Sequence, residues 1–227
     1  MWTLLHLHLD AHSRIARLAL HEKRVVHDLA VERAWDRRPE FIALNPAGTL
    51  PTLVETGGRR GPRALCGVRA ILGFLDDTVP DPPLAPRDPW DRAEAQRLFD
   101  WFADKMQGEA HEPLVGEKAM KRLMGDEAPR SDVMRAGRAN LRVHMGYVDW
   151  LAARRDWLAG EAMSAADLAA AAQISCLDHL GDIAWGDYPK AKAWYAKLKS
   201  RPSLRRILED HIPGGPTPPR WYADPDF

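Results

Sequence analysis

Cysteine is nearly missing: Cys66 and Cys176 are the only two in 227 residues. No pairing motif joins them, so neither a disulfide framework nor a Cys-rich zinc site is expected, and a reducing compartment suits the chain. Charge of one sign is missing as well. Thirty-two basic residues balance thirty-two acidic ones, which removes the overall electrostatic argument for nucleic acid or an anionic membrane as partner. Long apolar runs are also lacking. The opening MWTLLHLHL is short, carries histidines and has neither a basic leader nor a small-residue cleavage pattern, so it reads as neither a signal peptide nor a membrane span. The expected compartment is the cytoplasm. With 45% apolar and 28% charged residues, the chain has enough to bury one substantial core or two small ones.

Apolar residues alternate from Trp2 to Leu9, the pattern of a strand, and a helical period follows at Ile15, Leu18 and Ala19 with Ser13 as the expected N-cap. VVHDLAV (residues 25–31) is β-branched and apolar, which predicts a second strand. A helix lying between two such strands makes a βαβ unit with a parallel pair. TLVET (52–56) and RALC (63–66) flank the turn-rich GGRRGP and predict an antiparallel hairpin, closed by a helix from Val68 to Leu75. Prolines at 80, 82, 83, 86 and 89 break helix and sheet alike, so 80–89 reads as a linker. The expected domains are 1–79, α/β, and 90–212, all-helical, with a tail at 213–227. Helical periods cover Trp90 to Gln107, Asp132 to Ala153, Ser164 to Leu180 and Lys190 to Ser200. Ser164 and Asp167 have the spacing of a capping box.

Three histidines and an aspartate stand at alternate positions near the start: His6, His8, Asp10 and His12. On one strand they would share a face, as metal ligands do. If the first strand ends near residue 9, Asp10 and His12 fall in the following turn and the row breaks. No metal site is expected.

The order βαβ, ββα, linker, helical domain resembles the cytosolic glutathione transferases, with a thioredoxin-like N-terminal domain. LNPAGTLPTLVE is similar to that family's loop and strand around a cis-proline, here Pro51; SRIARLAL and VRAILGFLDD are similar to its first and third helices; Ser164 with Asp167 is similar to its helical capping box. The resemblance implies that Asp10 stands where transferases carry the serine or cysteine that activates glutathione. Lowering a thiol pKa by ~2 units needs ~2.7 kcal/mol of preference for thiolate. An ionised carboxylate offers no hydrogen and repels the anion, and tyrosine is unavailable before Tyr147. Ser13 is the nearest hydroxyl. Before the third helix the family carries an acidic or amide residue and a serine that hold the γ-glutamyl end. This chain has Gly67 and Val68, and hydrogen bonds to charged groups are worth ~1.5–3 kcal/mol each. Around Leu50, Pro51, Gly67 and Val68 the cleft is therefore expected to be vestigial, with weak or no binding of glutathione and no cofactor.

The ending RPSLRRILEDHIPGGPTPPRWYADPDF, with these departures, resembles the branch of the family formed by cell-division proteins of alphaproteobacteria. That likeness implies a homodimer without transferase activity, acting at the division site, which binds filaments of the tubulin-like protein FtsZ and supports constriction. A divergent glutathione transferase, or another thiol-dependent enzyme, is the alternative. Aromatic and arginine side chains dominate most interfaces, so the candidate partner-binding residues are Trp35, Arg37 and Arg38, the hairpin's Arg59, Arg60 and Arg63, and the tail's Trp221, Tyr222, Asp224, Asp226 and Phe227. The tail is the expected contact for a second division protein.

Overall fold

The structure, a computed structural model, describes residues 1–57, 61–125, 128–225 and 227. It divides into two compact units, Met1–Leu84 and Ala85–Phe227, and the division falls within the proline-rich segment 80–89.

In the first unit, strands β1 (Trp2–His6), β2 (Asp28–Val31), β3 (Thr52–Glu55) and β4 (Arg63–Cys66) form one sheet in the order β2-β1-β3-β4. β1 and β2 run parallel, with Leu4 opposite Leu29; β1 pairs antiparallel with β3, and β3 with β4. Helix α1 (Ala11–Glu22) is the crossover that the parallel pair requires. α2 (Pro39–Leu44) precedes the loop into β3, and α3 (Val68–Thr78) follows β4 and packs beside α1. Leu4, Ile15, Leu18, Leu53, Ile71 and Leu75 fill the core between sheet and helices.

Two strand expectations need correction. β1 ends at His6 instead of Leu9, because Leu7 begins a turn whose carbonyl accepts the Asp10 N–H. β2 begins at Asp28 instead of Val25, because Lys23 to His27 are spent leaving α1: Arg24 takes a left-handed φ of 55° and the Val25 N–H still reaches back to Leu20. The bond Leu50–Pro51 is cis, as is Asp81–Pro82. α3 runs one turn longer than expected.

The second unit opens with α4 (Pro89–Asp100), capped by Asp88, whose carboxylate accepts the N–H groups of Trp90 and Asp91 at 2.8 and 3.0 Å. Where a break was expected after Gln107, the helix continues without interruption as a widened stretch, Trp101–Met120, and a last turn, α5 (Lys121–Met124). Bonding from i to i+5 marks the widening, as from the Lys121 N–H to the Gly116 carbonyl, and a widened turn tolerates Pro113, which has no N–H to give. α6 (Ser131–Ala152) packs along this stretch. Gly137 is the point of closest approach, where an added Cβ would stand 2.8 Å from that of Pro113.

α7 (Ala165–His179) is buried on almost every face, which explains its alanines: it is the central helix, and its few polar side chains, Asp167, Gln173, Ser175, Asp178 and His179, are buried with it. Both halves of the Ser164–Asp167 capping box are formed. α8 (Pro189–Lys199) follows, and then α9 (Pro202–Leu208), a seven-residue helix that the sequence periodicity did not reveal. Among the described residues, no helix is long and apolar enough to cross a membrane.

Candidate functional site

Asp10 leaves the β1 turn in extended conformation and is the N-cap of α1, its carboxylate accepting the Ser13 N–H at 2.7 Å. The capping role expected of Ser13 thus falls to Asp10. Ser13 does not cap the helix but lies inside its first turn, fully buried, with its hydroxyl oxygen accepting the Leu7 N–H at 3.2 Å. Desolvation pushes the Asp10 carboxyl above its ordinary range, opposed by the Ser13 bonds and the nearby His12 and Arg14. One oxygen of the pair is thus committed to helix capping, and the hydroxyl is sealed in the core.

The Gly67 N–H donates to the Pro51 carbonyl at 3.0 Å, joining the cis-proline turn to the end of β4. Gly67 is the N-cap of α3 at φ 87°, ψ 147°, a backbone region that only glycine enters without strain. It brings no side chain to the helix entrance, and Val68 turns its own into the core. Leu50 is half-buried and Pro51 buried. The neighbouring Cys66 thiol is exposed, with its Sγ 3.6 Å from the Leu44 carbonyl, and partial burial pushes its pKa up, against thiolate chemistry.

Sequence reasoning passed over Asn45. Its amide donates to the Thr49 carbonyl at 2.7 Å and to the Thr52 hydroxyl at 3.0 Å, while its oxygen accepts the Ala47 N–H, so one buried side chain pins the loop that delivers Pro51. The Asn-Pro dipeptide at 45–46 was the available signal.

The histidine row does not persist as one face. His6 ends β1, His8 lies in the turn, and their rings meet edge to face at 5.0 Å. Among the described residues, no three His, Cys, Asp or Glu side chains gather as a metal site would require.

The loop after β2 presents Trp35, half-buried in a short turn (Ala34–Asp36), and Arg37, exposed at a left-handed φ of 45°. Arg38 is engaged within its own unit: its guanidinium forks onto Glu32 at 2.5 and 3.2 Å, and Glu32 is buried. Arg63 pairs with Glu55, its register partner across the hairpin. Arg59, Arg60 and Asp226 lie outside the described residues.

The tail departs most from expectation. Instead of presenting its aromatics outward, it folds onto its own unit, because two buried charges there need partners. Tyr222 is 2% exposed and meets the His179 ring edge to face at 5.0 Å. His179 Nε2–H donates to the Pro216 carbonyl at 2.9 Å. Trp221, 42% exposed, sends its indole N–H to Asp178 at 3.1 Å, beside that of Trp185 at 2.8 Å. Lys199 and Asp178 are fully buried side chains 3.7 Å apart. The Lys199 ammonium donates to the carbonyls of Trp221 (2.9 Å) and Asp224 (3.1 Å) and lies 3.4 Å from the Phe227 ring centroid. Burial pulls its pKa down to about 8, against the pull of Asp178 and Asp224. Of the expected tail contacts among the described residues, Trp221 and Asp224 are exposed, Phe227 is half-buried and Tyr222 is buried.

A mixed four-stranded sheet with a cis-proline entering β3, followed by an all-helical unit around a capping-box helix, is the architecture of a glutathione transferase. The chain belongs to that family: the models for the glutathione S-transferase N-terminal and C-terminal domains match residues 11–78 and 102–202. Within it, the chain is 48% identical over 225 residues to FtsZ-localized protein A of Caulobacter vibrioides, covering 99% of this chain and 98% of that one. The solved structure of FzlA from C. crescentus superposes with a TM-score of 0.95 at 48% identity, covering 100% of this chain and 99% of that one. A structure described as a glutathione S-transferase from Rhodospirillum rubrum F11 superposes at 0.94 with 43% identity over the whole of both chains.

Proposed function

We propose that this chain is a glutathione transferase-like cell-division protein that binds FtsZ filaments, shapes their curvature and bundling, and supports constriction at the division site without transferring glutathione. The observation that carries the reading is its likeness, along 99% of its length, to FtsZ-localized protein A. The cleft agrees with it. Asp10 is a helix cap, the Ser13 hydroxyl is sealed away, and Gly67 and Val68 offer no side chain to the γ-glutamyl end. With Tyr222 and Phe227 turned inward, the loop bearing Trp35 and Arg37 is the leading surface for the filament, since a tryptophan and an adjacent exposed arginine are the residue types that most often anchor interfaces. Trp221 and Asp224 are left for a second division protein.

Co-sedimentation with assembled FtsZ tests this. The chain should pellet with polymer and stay soluble with unassembled FtsZ, and a W35A/R37A variant should weaken pelleting at least tenfold. Equal amounts in the pellet with and without polymer would overturn the reading. The second reading, a divergent transferase, is favoured by the description of the R. rubrum neighbour. A micromolar dissociation constant for glutathione by calorimetry, together with turnover of an electrophile, would establish it instead.

A further inference from the structure

Phe227 occupies a defined receptor. Its ring stands edge-on to Trp185 at 4.9 Å and to Tyr195 at 6.1 Å, while Trp185 and Tyr195 stack on each other at 5.2 Å. Two ammonium groups lie over it, Lys199 at 3.4 Å and Lys192 at 5.0 Å from the centroid. The floor of this cage is the Lys199–Asp178 pair, and the tail supplies partners to both: two backbone carbonyls for Lys199 and an indole N–H for Asp178. A buried charge with a removed partner is costly; the two carbonyls and the Phe227 ring converge on one atom, Lys199 Nζ, and the indole bond joins them through its partner Asp178. The segment that precedes them, PGGPTPPR (213–220), contains no helix or strand, and Gly214 takes a left-handed φ of 75°. It therefore has little structure of its own to keep the tail in place.

We propose that residues 213–225 together with Phe227 form a releasable strap, closed by Lys199, whose opening uncovers the Trp185–Tyr195 cage and Tyr222 in a single step. The inference concerns the tail's own equilibrium and stands whether or not the chain binds FtsZ. While the strap is closed, Tyr222 is buried and Phe227 half-buried with its ring engaged by the cage, so neither offers a partner its whole side chain. A partner that reads those aromatics binds only the open fraction, and its apparent affinity falls in proportion to that fraction.

Hydrogen exchange on the full chain tests this, read separately for the tail and for α7. In the native protein, amides of the Trp221–Asp224 region should exchange at least tenfold more slowly than an unstructured peptide, yet faster than those of α7. Lys199→Met, which keeps the stem and removes the ammonium, should speed exchange of the tail at least tenfold and admit chymotrypsin at Tyr222, leaving α7 protection unchanged. Phe227→Ala alters only the tail and keeps Lys199 paired. It should speed tail exchange severalfold, and it decides the matter if the Lys199 variant does not fold. Native tail exchange at the unstructured rate, no acceleration in Phe227→Ala, or equal acceleration of tail and α7 would overturn the strap. The last of these would make the tail an inseparable part of the core.

Discussion

Asp167 illustrates how much structure one carboxylate can organise. One of its oxygens accepts the Leu158 N–H at 2.9 Å and the Trp194 indole N–H at 3.1 Å; the other accepts the Ser164 N–H at 2.9 Å and its hydroxyl at 3.2 Å. Removing it strands these donors in a dry site, so Asp167→Ala should lose about 3–5 kcal/mol in urea unfolding. Burial raises its pKa. A raised folded-state value contributes stability that is present below the unfolded value and is lost as pH rises through the folded one. The stability gap between the native chain and Asp167→Asn should therefore widen as pH falls towards about 4. This residue was legible in the sequence because a capping box has fixed local spacing. Asp178 and Lys199 were not, since their pairing joins α7 to the end of α8 and has no spacing rule. The cap of α1 was expected at Ser13 and lies at Asp10, because either type can cap and only the turn at Leu7 decides which does.

At the level of elements, two polar contacts tie α6 and its end to α4. Glu94 on α4 takes a forked pair from Arg97 (2.8 and 2.9 Å) and a third bond from Arg155, just past the end of α6, at 2.8 Å. Arg97 in turn reaches the Tyr147 hydroxyl at 2.9 Å. These arginines, Arg97 foremost, hold the Glu94 carboxyl down at about 2. A depressed folded-state value gives stability that is present above the unfolded value, near 4.5, and lost as pH falls towards 2. Glu94→Gln should accordingly cost about 1 kcal/mol at neutral pH, the group being partly exposed and screened. That cost should shrink through the acid range when unfolding is followed against pH. On α6, Gly137→Ala must displace Pro113 and Leu114, whose atoms stand 2.8 and 3.0 Å from the new Cβ, whereas Gly146→Ala meets nothing within 4 Å. The first should destabilise by about 1–2 kcal/mol. The second should stabilise by about 0.5–1 kcal/mol through helix propensity alone, and thermal melts of the two compare them directly. Long periodic helices were legible; the continuation past Gln107 was not, because Pro113 mimics a stop. Nor was α9, whose seven residues hold too few turns to show a period.

For the whole molecule, the order of elements was readable before the structure because a parallel pair demands a crossover and a proline cluster interrupts both patterns. The direction of the tail was not, since it is set by charges far away in sequence. Family membership leads us to expect a two-fold homodimer, and the exposed Trp90 on α4 and Trp150 on α6 are the kind of surface it would cover. Light scattering should give twice the chain mass of 25.5 kDa at micromolar concentration; a mass equal to one chain refutes the dimer. Two copies would display each partner surface twice and could crosslink filaments by avidity. The buried lysine has a consequence for synthesis as well. A chain made from its N-terminus exposes Asp178 and Lys199 before the carbonyls and indole that satisfy them exist, so this pair is completed only when Trp221 to Asp224 have left the ribosome, while the rest of the helical unit packs ahead of it. A chain stalled short of Trp221 is then marked as unfinished by an interior charge still open to water, and it is a better substrate for quality-control proteases than its nearly full length would imply.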